Sequence, residues 1–303
     1  MPLTILILGA GAIGSLFGAL LSTKHKVMVL CRTPHATAIN KKGLIIQGLT
    51  KNTYILDATD TITNLPSNPD LVIITVKAYD TQHLIQTTKP TLKSAKHILT
   101  LQNGLGNIEA LSSIIPTNRI LAGITTHGAI YTKPGNIKHT GIGRTIIGPL
   151  VSISLDIAHQ LANEFTAAGL STTLSPDIQK EIWKKAVINS AINPLTAIFH
   201  CKNGYLLENP ILETILDRIT TESTTIANTQ HYQLSADEMI NQTKQVIYET
   251  VDNYSSMLQS IKLQQPTEID YINGTLQTVG QNHNIATPLN TIITKMIHSL
   301  SNP

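Results

Sequence analysis

The segment from Trp183 to Ala197, WKKAVINSAINPLTA, brings together the residues best suited to chemistry. On a helix, Lys185, Asn189 and Asn193 lie at positions i, i+4 and i+8 and therefore share one face, whereas Lys184 points about 100° away from it. An ammonium group donates protons, and carboxamides both donate and accept hydrogen bonds. Such a polar stripe either faces solvent or lines a cleft, and the two asparagines, which are poor helix formers, favour a cleft.

Structural interpretations compete with functional ones at several other polar residues. Pro194 is predicted to end or kink this helix. The run from Thr267 to Asp270 resembles a capping box, in which Glu268 would be a first-turn acid stabilised by the helix dipole. His127 and His139 have no supporting motif and are expected to be surface or hydrogen-bonded histidines. From local sequence alone, the structural interpretation of Glu268 is the stronger one.

A glycine motif follows the first apolar run of the chain and precedes a helical segment. In such a motif the first glycine permits a tight turn, the second lets a pyrophosphate approach the backbone, and the third allows helix–strand packing. Phosphate then meets the N–H groups at the start of the helix. The sequence thus predicts a dinucleotide site formed by Gly9, Ala10, Gly11, Ala12, Ile13 and Gly14.

The residues after two later strands indicate which dinucleotide is bound. NAD-dependent enzymes place an acid after the second strand to hold the ribose 2′-hydroxyl. Here Cys31 and Arg32 follow that strand, with no acid nearby in the sequence. Because a guanidinium pairs well with a 2′-phosphate, NADPH is favoured over NADH. Lys77, after the strand LVIITV, lies at a carboxyl end where ligands collect in open α/β sheets.

The elements that must position these residues change in character along the chain. Strand-length apolar runs separated by helical segments fill the first half, and they occur at 3–8, 26–30, 71–76, 97–101, 119–126 and 144–148. This pattern predicts an α/β fold, an N-terminal Rossmann-type doubly wound, mostly parallel sheet. The later sequence has helical periodicity and helix-start residues at Ser175-Pro176-Asp177 and Asn209-Pro210. We therefore predict a NADP-binding domain over 1–168 and an all-helical substrate and catalytic domain over 169–303.

Composition excludes several classes of protein. The 303 residues are 42% hydrophobic and 14% charged, with a net charge of +3 and no basic run, so nucleic-acid binding is not expected. The two cysteines form neither a disulfide framework nor a metal site, which is typical of the cytoplasm. Residues 3–21 could span a bilayer by length, but the glycines divide them into a strand and a helix, so no membrane segment is predicted. A homodimer is compatible with the sequence.

Several motifs in the same order resemble the ketopantoate reductase family. The similarity extends over nearly the whole chain, from GAGAIG (9–14) through TTHGA (125–129) and WKKxxxNxxINPLTA to TEIDYING (267–274). Departures are small: Cys31 precedes the arginine, and Lys202 precedes Asn-Gly in CKNG. The resemblance implies that Lys185 is the general acid. It further implies substrate-binding roles for Asn103, Asn189, Asn193, Asn203 and Ser256, and cofactor-binding roles for Lys77, Asn103, Ala129 and Glu268.

The resemblance also implies a reaction: NADPH-dependent reduction of 2-dehydropantoate to (R)-pantoate, a step of pantothenate and coenzyme A synthesis, with a small 2-oxo acid as substrate and no metal. Two alternatives remain open. A related NAD(P)-dependent 2-oxo acid or opine-type dehydrogenase would share the architecture. A non-catalytic NADPH-sensing regulator would keep the glycine motif and lose the polar face around Lys185.

Overall fold

The structure, a computed structural model, describes residues 1–301, which fall into two compact units. The first consists of Met1–Gln102 with Asn107–Gln179, and the second of Asn103–Gly106 with the chain from Lys180 onward. A domain boundary is predicted after residue 168, whereas the chain changes unit after Gln179. The reason is a short strand, Thr172–Leu174, that pairs with the sheet of the first unit.

The first unit contains two sheets and the helices that cover them. The strands are β1 Thr4–Leu8, β2 Lys26–Leu30, β3 Leu44–Gly48, β4 Asn52–Tyr54, β5 Asp57–Thr59, β6 Leu71–Ile74, β7 His97–Thr100, β8 Ile120–Thr125, β9 Gly128–Lys133, β10 Asn136–Gly141, β11 Thr145–Pro149 and β12 Thr172–Leu174. The helices are α1 Ala12–Leu21, α2 Thr33–Lys42, α3 Thr81–Ser94, α4 Asn107–Ser112 and α5 Leu155–Ala167.

The larger sheet has eight strands in the order β12-β11-β8-β7-β6-β1-β2-β5. Every neighbouring pair is parallel except β8 with β11. The strand β6 is buried along its whole length, because helices cover both faces of the sheet, and this explains its uninterrupted apolar sequence. The predicted doubly wound, mostly parallel sheet is therefore confirmed.

The second sheet, with the order β4-β3-β10-β9, was not predicted. Its hairpin β9–β10 turns at Pro134-Gly135. The strand β9 is largely exposed and begins with Gly128 and Ala129, which are depleted in strands, so its local signal is weak. Gly135 has φ +72° and its N–H donates to His35 Nδ1 at 2.8 Å, which anchors the turn to α2.

Within the described residues the second unit is all helical. Its helices are α6 Ile178–Ile198, α7 Tyr205–Glu208, α8 Pro210–Asn228, α9 Ala236–Glu249, α10 Ser256–Lys262, α11 Asn273–Asn282 and α12 Pro288–Ser301. The predicted start at Asn209-Pro210 is confirmed, because the Asn209 side chain accepts the N–H groups of Ile211 and Leu212 at 3.0 and 3.3 Å. No helix within residues 1–301 combines the length and apolar character needed to cross a bilayer.

One local expectation in this unit is wrong, and a second fails in one of its two alternatives. Glu268 does not lie in the first turn of a capped α-helix: it precedes a three-residue 3-10 helix, Ile269–Tyr271, whose start has no side-chain cap. Because α11 begins only at Asn273, the predicted capping box does not form. Pro194 was predicted to end or kink its helix, and it does not end α6, which continues to Ile198. The missing backbone donor at the proline is replaced from another helix, as described below.

Candidate active site

The turn between β1 and α1 requires glycine at its first and third motif positions. Gly9 has φ +100°, and a Cβ there would lie 2.5 Å from Val76 Cγ1. A Cβ on Gly14 would lie 2.3 Å from the Gly9 carbonyl oxygen and 2.4 Å from Thr75 Oγ1. The hydroxyl of Thr75 donates to that same carbonyl at 2.8 Å. The turn is therefore held against the loop that follows β6, and no larger residue fits at either glycine.

Gly11 differs from these two glycines because it is surrounded by open space. A Cβ at Gly11 would meet no atom of the chain within 4 Å, although the residue lies directly before α1. Gly11 has no side chain with which to cap the first turn, whose N–H groups belong to Ala12, Ile13 and Gly14. Open space beside the N-terminal end of a helix, which carries a partial positive charge, can accommodate a pyrophosphate group. The residues present thus fit a dinucleotide.

Two cationic candidates lie at the ends of strands that adjoin this turn. The N–H groups of Gly9 and Ala10 both donate to the Leu30 carbonyl at 3.1 Å, which ties the turn to the end of β2. Arg32 follows two residues later as the exposed N-cap residue of α2. Lys77 is half-buried and directly follows Val76, the residue that packs against Gly9. Arg32 thus lies two residues after Leu30, and Lys77 one residue after Val76, and both Leu30 and Val76 contact the glycine turn.

An acid near the end of β2, which the sequence analysis did not expect, comes from β5. β2 and β5 are parallel neighbours, and the Cys31 N–H donates to the Thr59 carbonyl at 2.9 Å. Arg32 follows Cys31 and Asp60 follows Thr59, so both come directly after residues that are joined by this backbone hydrogen bond. Hydrogen bonds from the hydroxyls of Thr33 and Thr61 lower the pKa of Asp60, which therefore carries its charge at neutral pH. Long-range strand pairing places this acid, so the sequence around Arg32 could not reveal it.

The TTHGA segment contributes to the interior of the first unit. Ala129 lies on β9, where it pairs with His139 and packs against the hydrophobic core. His127 Nδ1 and His139 Nε2 are 3.4 Å apart, and both rings are buried. Burial lowers the pKa of both histidines, so they are neutral at pH 7. These histidines are buried and hydrogen-bonded, one of the two states that the sequence analysis expected.

The polar face predicted on α6 is present. Lys185 and Asn189 are half-buried, and Asn193 is only 7% exposed. The preceding lysine, Lys184, forms an ion pair with Glu181 at 3.1 Å on another side of the helix. Asparagines that are enclosed in this way fit a cleft better than a solvated face.

Glu268 interacts electrostatically with the lysine of this face. Burial lowers the pKa of Lys185 to about 8, and the negative charge of Glu268 partly opposes that decrease. The Glu268 side chain itself is only 6% exposed. A lysine with a pKa near neutrality can both donate and accept a proton under physiological conditions. The structure therefore combines a proton-transfer group with an acid that favours its charged form.

The loop that carries Asn103 is bonded to the segment that carries Glu268. The Leu105 N–H donates to the Tyr271 carbonyl at 2.8 Å. Gly104 has φ +82°, and a Cβ there would lie 2.7 Å from the same carbonyl oxygen. Asn103–Gly106 and the IDYING motif, far apart in sequence, are thus brought together within the second unit.

Asn203, between α6 and α7, contacts the start of the segment that connects α9 to α10, and Ser256 follows the end of that segment. Asn203 is buried, and its Nδ2 donates to Thr250 Oγ1 at 2.9 Å. Ser256 is exposed at the first position of α10. The structure thus gives Asn203 an internal partner and leaves the Ser256 side chain on the surface.

Ser255, which the sequence analysis passed over for its neighbour, makes the contact with the polar face. Its hydroxyl accepts from Thr196 Oγ1 at 2.7 Å, donates to the Asn193 carbonyl at 3.4 Å and caps α10 through the Leu258 N–H at 3.1 Å. The preference of serine for helix N-caps is the signal that could have identified it.

Comparisons with known proteins show which family the chain resembles in sequence and fold. The family models for "Ketopantoate reductase PanE/ApbA" and its C-terminal domain match residues 5–152 and 177–301. A 2-dehydropantoate 2-reductase of Pyrococcus horikoshii is 37% identical over 97% of this chain and 96% of the relative. A D-mandelate dehydrogenase structure with NADH and anilino(oxo)acetate has a TM-score of 0.93 at 27% identity, covering 98% of each chain. A PanE/ApbA family ketopantoate reductase from Ralstonia eutropha JMP134 has a TM-score of 0.89 at 27% identity, also covering 98% of each. The chain is an oxidoreductase and belongs to the ketopantoate reductase family.

Proposed function

We propose that this protein catalyses the NADPH-dependent reduction of 2-dehydropantoate to (R)-pantoate, a step in pantothenate and coenzyme A biosynthesis. The observation that carries the proposal is the electrostatic interaction of Glu268 with Lys185, which shares one face of α6 with Asn189 and Asn193. The curated relatives named 2-dehydropantoate 2-reductase support the choice of substrate. Because both cysteines are free thiols, the cytoplasm is the compartment that we assign.

Lys185 acts as the general acid of the proposed reaction. Its ammonium donates a hydrogen bond to the carbonyl oxygen of the 2-oxo acid and transfers a proton as negative charge develops there. Glu268 favours the protonated lysine, which the reduction requires. In the reverse direction the neutral amine takes the proton back. A pKa of about 8 allows both states near neutral pH.

The remaining candidates on the second unit bind and orient the substrate. Asn103, Asn189 and Asn193 offer amides that read both the hydroxyl and the carboxylate of a small 2-oxo acid. Asn203 and Ser256 complete the proposed substrate set. Asn203 contributes by holding its own loop in place, because its Nδ2 already donates to Thr250 Oγ1.

The first unit binds the cofactor in this proposal. When bound, NADPH supplies the hydride that reduces the C2 carbonyl carbon. Gly11 and the start of α1 receive the pyrophosphate, and Arg32 receives the 2′-phosphate. The proposed cofactor-binding residues also include Lys77 and Ala129 and, from the second unit, Asn103 and Glu268.

The second candidate function is the reduction of a different 2-oxo acid, which the similarity to the D-mandelate dehydrogenase structure favours. A related 2-oxo acid carrying an aryl group would be reduced by the same lysine. The decisive experiment follows nicotinamide oxidation at 340 nm with ketopantoate, benzoylformate and other 2-oxo acids, using NADPH and NADH in turn. Highest kcat/KM for ketopantoate with NADPH supports the proposal. Preference for benzoylformate supports the second candidate, and inactivity with every oxo acid contradicts both.

A further inference from the structure

α6 contains a backbone defect within its functional face. In an α-helix the N–H of residue 194 would bond to the carbonyl of residue 190. Pro194 has no N–H, yet α6 continues through it to Ile198. The Ser190 carbonyl lies in the protein interior, where an unpaired acceptor is costly. It is also one residue from Asn189 and three residues from Asn193.

The side chain of Asn273 provides the missing donor. Its Nδ2 donates to the Ser190 carbonyl oxygen at 2.9 Å, and the residue is fully buried. The same Nδ2 donates to Asn290 Oδ1 at 2.9 Å. A rotated amide would direct Oδ1 at two acceptors, so these partners define its orientation.

Asn273 is itself held by a chain of polar groups, of which Asn290 and Ser223 are buried and Glu222 is half-buried. Asn290 Nδ2 donates to Glu222 Oε1 at 2.7 Å and to Ser223 Oγ at 3.1 Å. The Glu222 carboxylate also accepts the N–H groups of Leu289 and Asn290 at the start of α12, at 3.0 and 2.8 Å. Residues of α8, α11 and α12 therefore all belong to the hydrogen-bond chain that ends at the Ser190 backbone carbonyl of α6.

We propose that Asn273 is a positioning residue, which replaces the helical hydrogen bond lost at Pro194 and thereby orients the Lys185–Asn189–Asn193 face relative to the segment that carries Glu268. Asn273 begins α11, only five residues after Glu268 along the chain. Its bond to Ser190 consequently joins the acid's segment to the helix of the lysine and the two amides. The inference rests on the proposed function, since it assigns that face to the 2-oxo acid.

The test compares Asn273→Ala with the enzyme that carries the natural residue. A shift of the polar face should raise KM for ketopantoate and lower kcat, with a fall in kcat/KM of about 10- to 100-fold, because misplacement of order 1 Å has effects of this size. KM for NADPH should remain unchanged. A purely structural role would instead lower Tm and kcat and leave both KM values as they are, and that result would overturn the proposal.

Pro194→Ala provides a second, independent measurement, because alanine at this position restores the backbone donor for the Ser190 carbonyl. The double variant P194A/N273A should be more active than the product of the two single losses predicts. If the single losses simply multiply, the two residues do not share the Ser190 carbonyl as their point of action and the proposal fails.

The same pair of variants distinguishes failure of this inference from failure of the proposed function. If N273A does not fold, recovery of soluble protein and of Tm in P194A/N273A supports the link, and a double variant no better than the single one contradicts it. If the unmodified enzyme does not reduce ketopantoate, the proposed function fails. The coupling between the two positions is then still measured by Tm.

Discussion

The carboxylate of Asp60 accepts a hydrogen bond from the hydroxyl of Thr33, the residue that directly follows Arg32. A negative charge and a guanidinium thus occupy the same end of the β2–β5 pair. In the proposed cofactor site, the guanidinium attracts a 2′-phosphate whereas the carboxylate repels it and accepts a hydrogen bond from a free 2′-hydroxyl. Asp60 should therefore reduce the preference for NADPH that Arg32 creates.

Substitution of Asp60 by asparagine should increase the preference for NADPH. We expect KM for NADPH to fall and KM for NADH to rise, each by about two- to fivefold, the range for exposed charges in high dielectric. The matched control is Asp57→Asn, which removes the same charge from the other, exposed end of β5. Steady-state kinetics with both cofactors measure the effect. An equal change in the two variants would show only a general influence of net charge.

Arg32→Ala tests the opposite charge. Loss of a charge-assisted contact to the 2′-phosphate should cost roughly 1–3 kcal/mol in NADPH binding. NADH, which lacks that phosphate, serves as the internal control and should be little affected. Fluorescence titration with each cofactor gives the two dissociation constants. Equal use of both cofactors by the unmodified enzyme would contradict the assignment of Arg32.

Lys185→Ala should lower kcat by about 10²- to 10⁴-fold, the usual contribution of general acid catalysis. The adjacent Lys184→Ala is a close control, because it removes the same charge from an ion pair with Glu181 on another side of α6. That variant should retain nearly full activity. Reversed effects of the two substitutions would show that the shared helical face is not the catalytic one.

The pH dependence of the reaction should report the ionisation of Lys185. Reduction needs the protonated amine, so its kcat/KM should be constant below about pH 8 and fall as the pH rises through that value. Oxidation of the hydroxy acid needs the neutral amine and should rise over the same range.

Glu268→Gln should move this alkaline limb to lower pH, because the negative charge that raises the pKa of Lys185 is removed. The variant should also show a large rise in KM or a fall in kcat at pH 7, with Tm almost unchanged. Full kinetics and thermal melting on one preparation separate catalytic from structural effects. Native kinetics and an unmoved limb, together with a lower Tm, would restrict Glu268 to a structural role.

The large sheet and the glycine turn could be predicted from sequence because their determinants are local. An apolar run such as Leu71–Ile74 and a glycine with a positive φ at Gly9 are each recognisable within a few residues. The helical face of Lys185, Asn189 and Asn193 was equally accessible, since it depends only on the helical period.

The features that were missed depend on contacts between distant residues. Asp60 reaches Thr33 only because β5 pairs with β2. Where α6 continues through Pro194, Asn273 donates to the Ser190 carbonyl, a contact that no rule about proline in a helix anticipates. The capping box did not form because Glu268 precedes a 3-10 helix and α11 begins only at Asn273. Local propensity is overridden wherever tertiary partners satisfy the backbone.

The bond between Leu105 and Tyr271 has a consequence for the order in which the chain can mature during synthesis. Residues 103–106 leave the ribosome with the first half of the protein, but the carbonyl that they require belongs to the last third. Residues 103–106 therefore cannot form this hydrogen bond until the Tyr271 segment has been synthesised. A fragment that ends near residue 179 would keep this loop without its acceptor, and a fragment that begins there would lack Asn103. Neither half produced alone carries the complete set of residues that the proposed reaction uses.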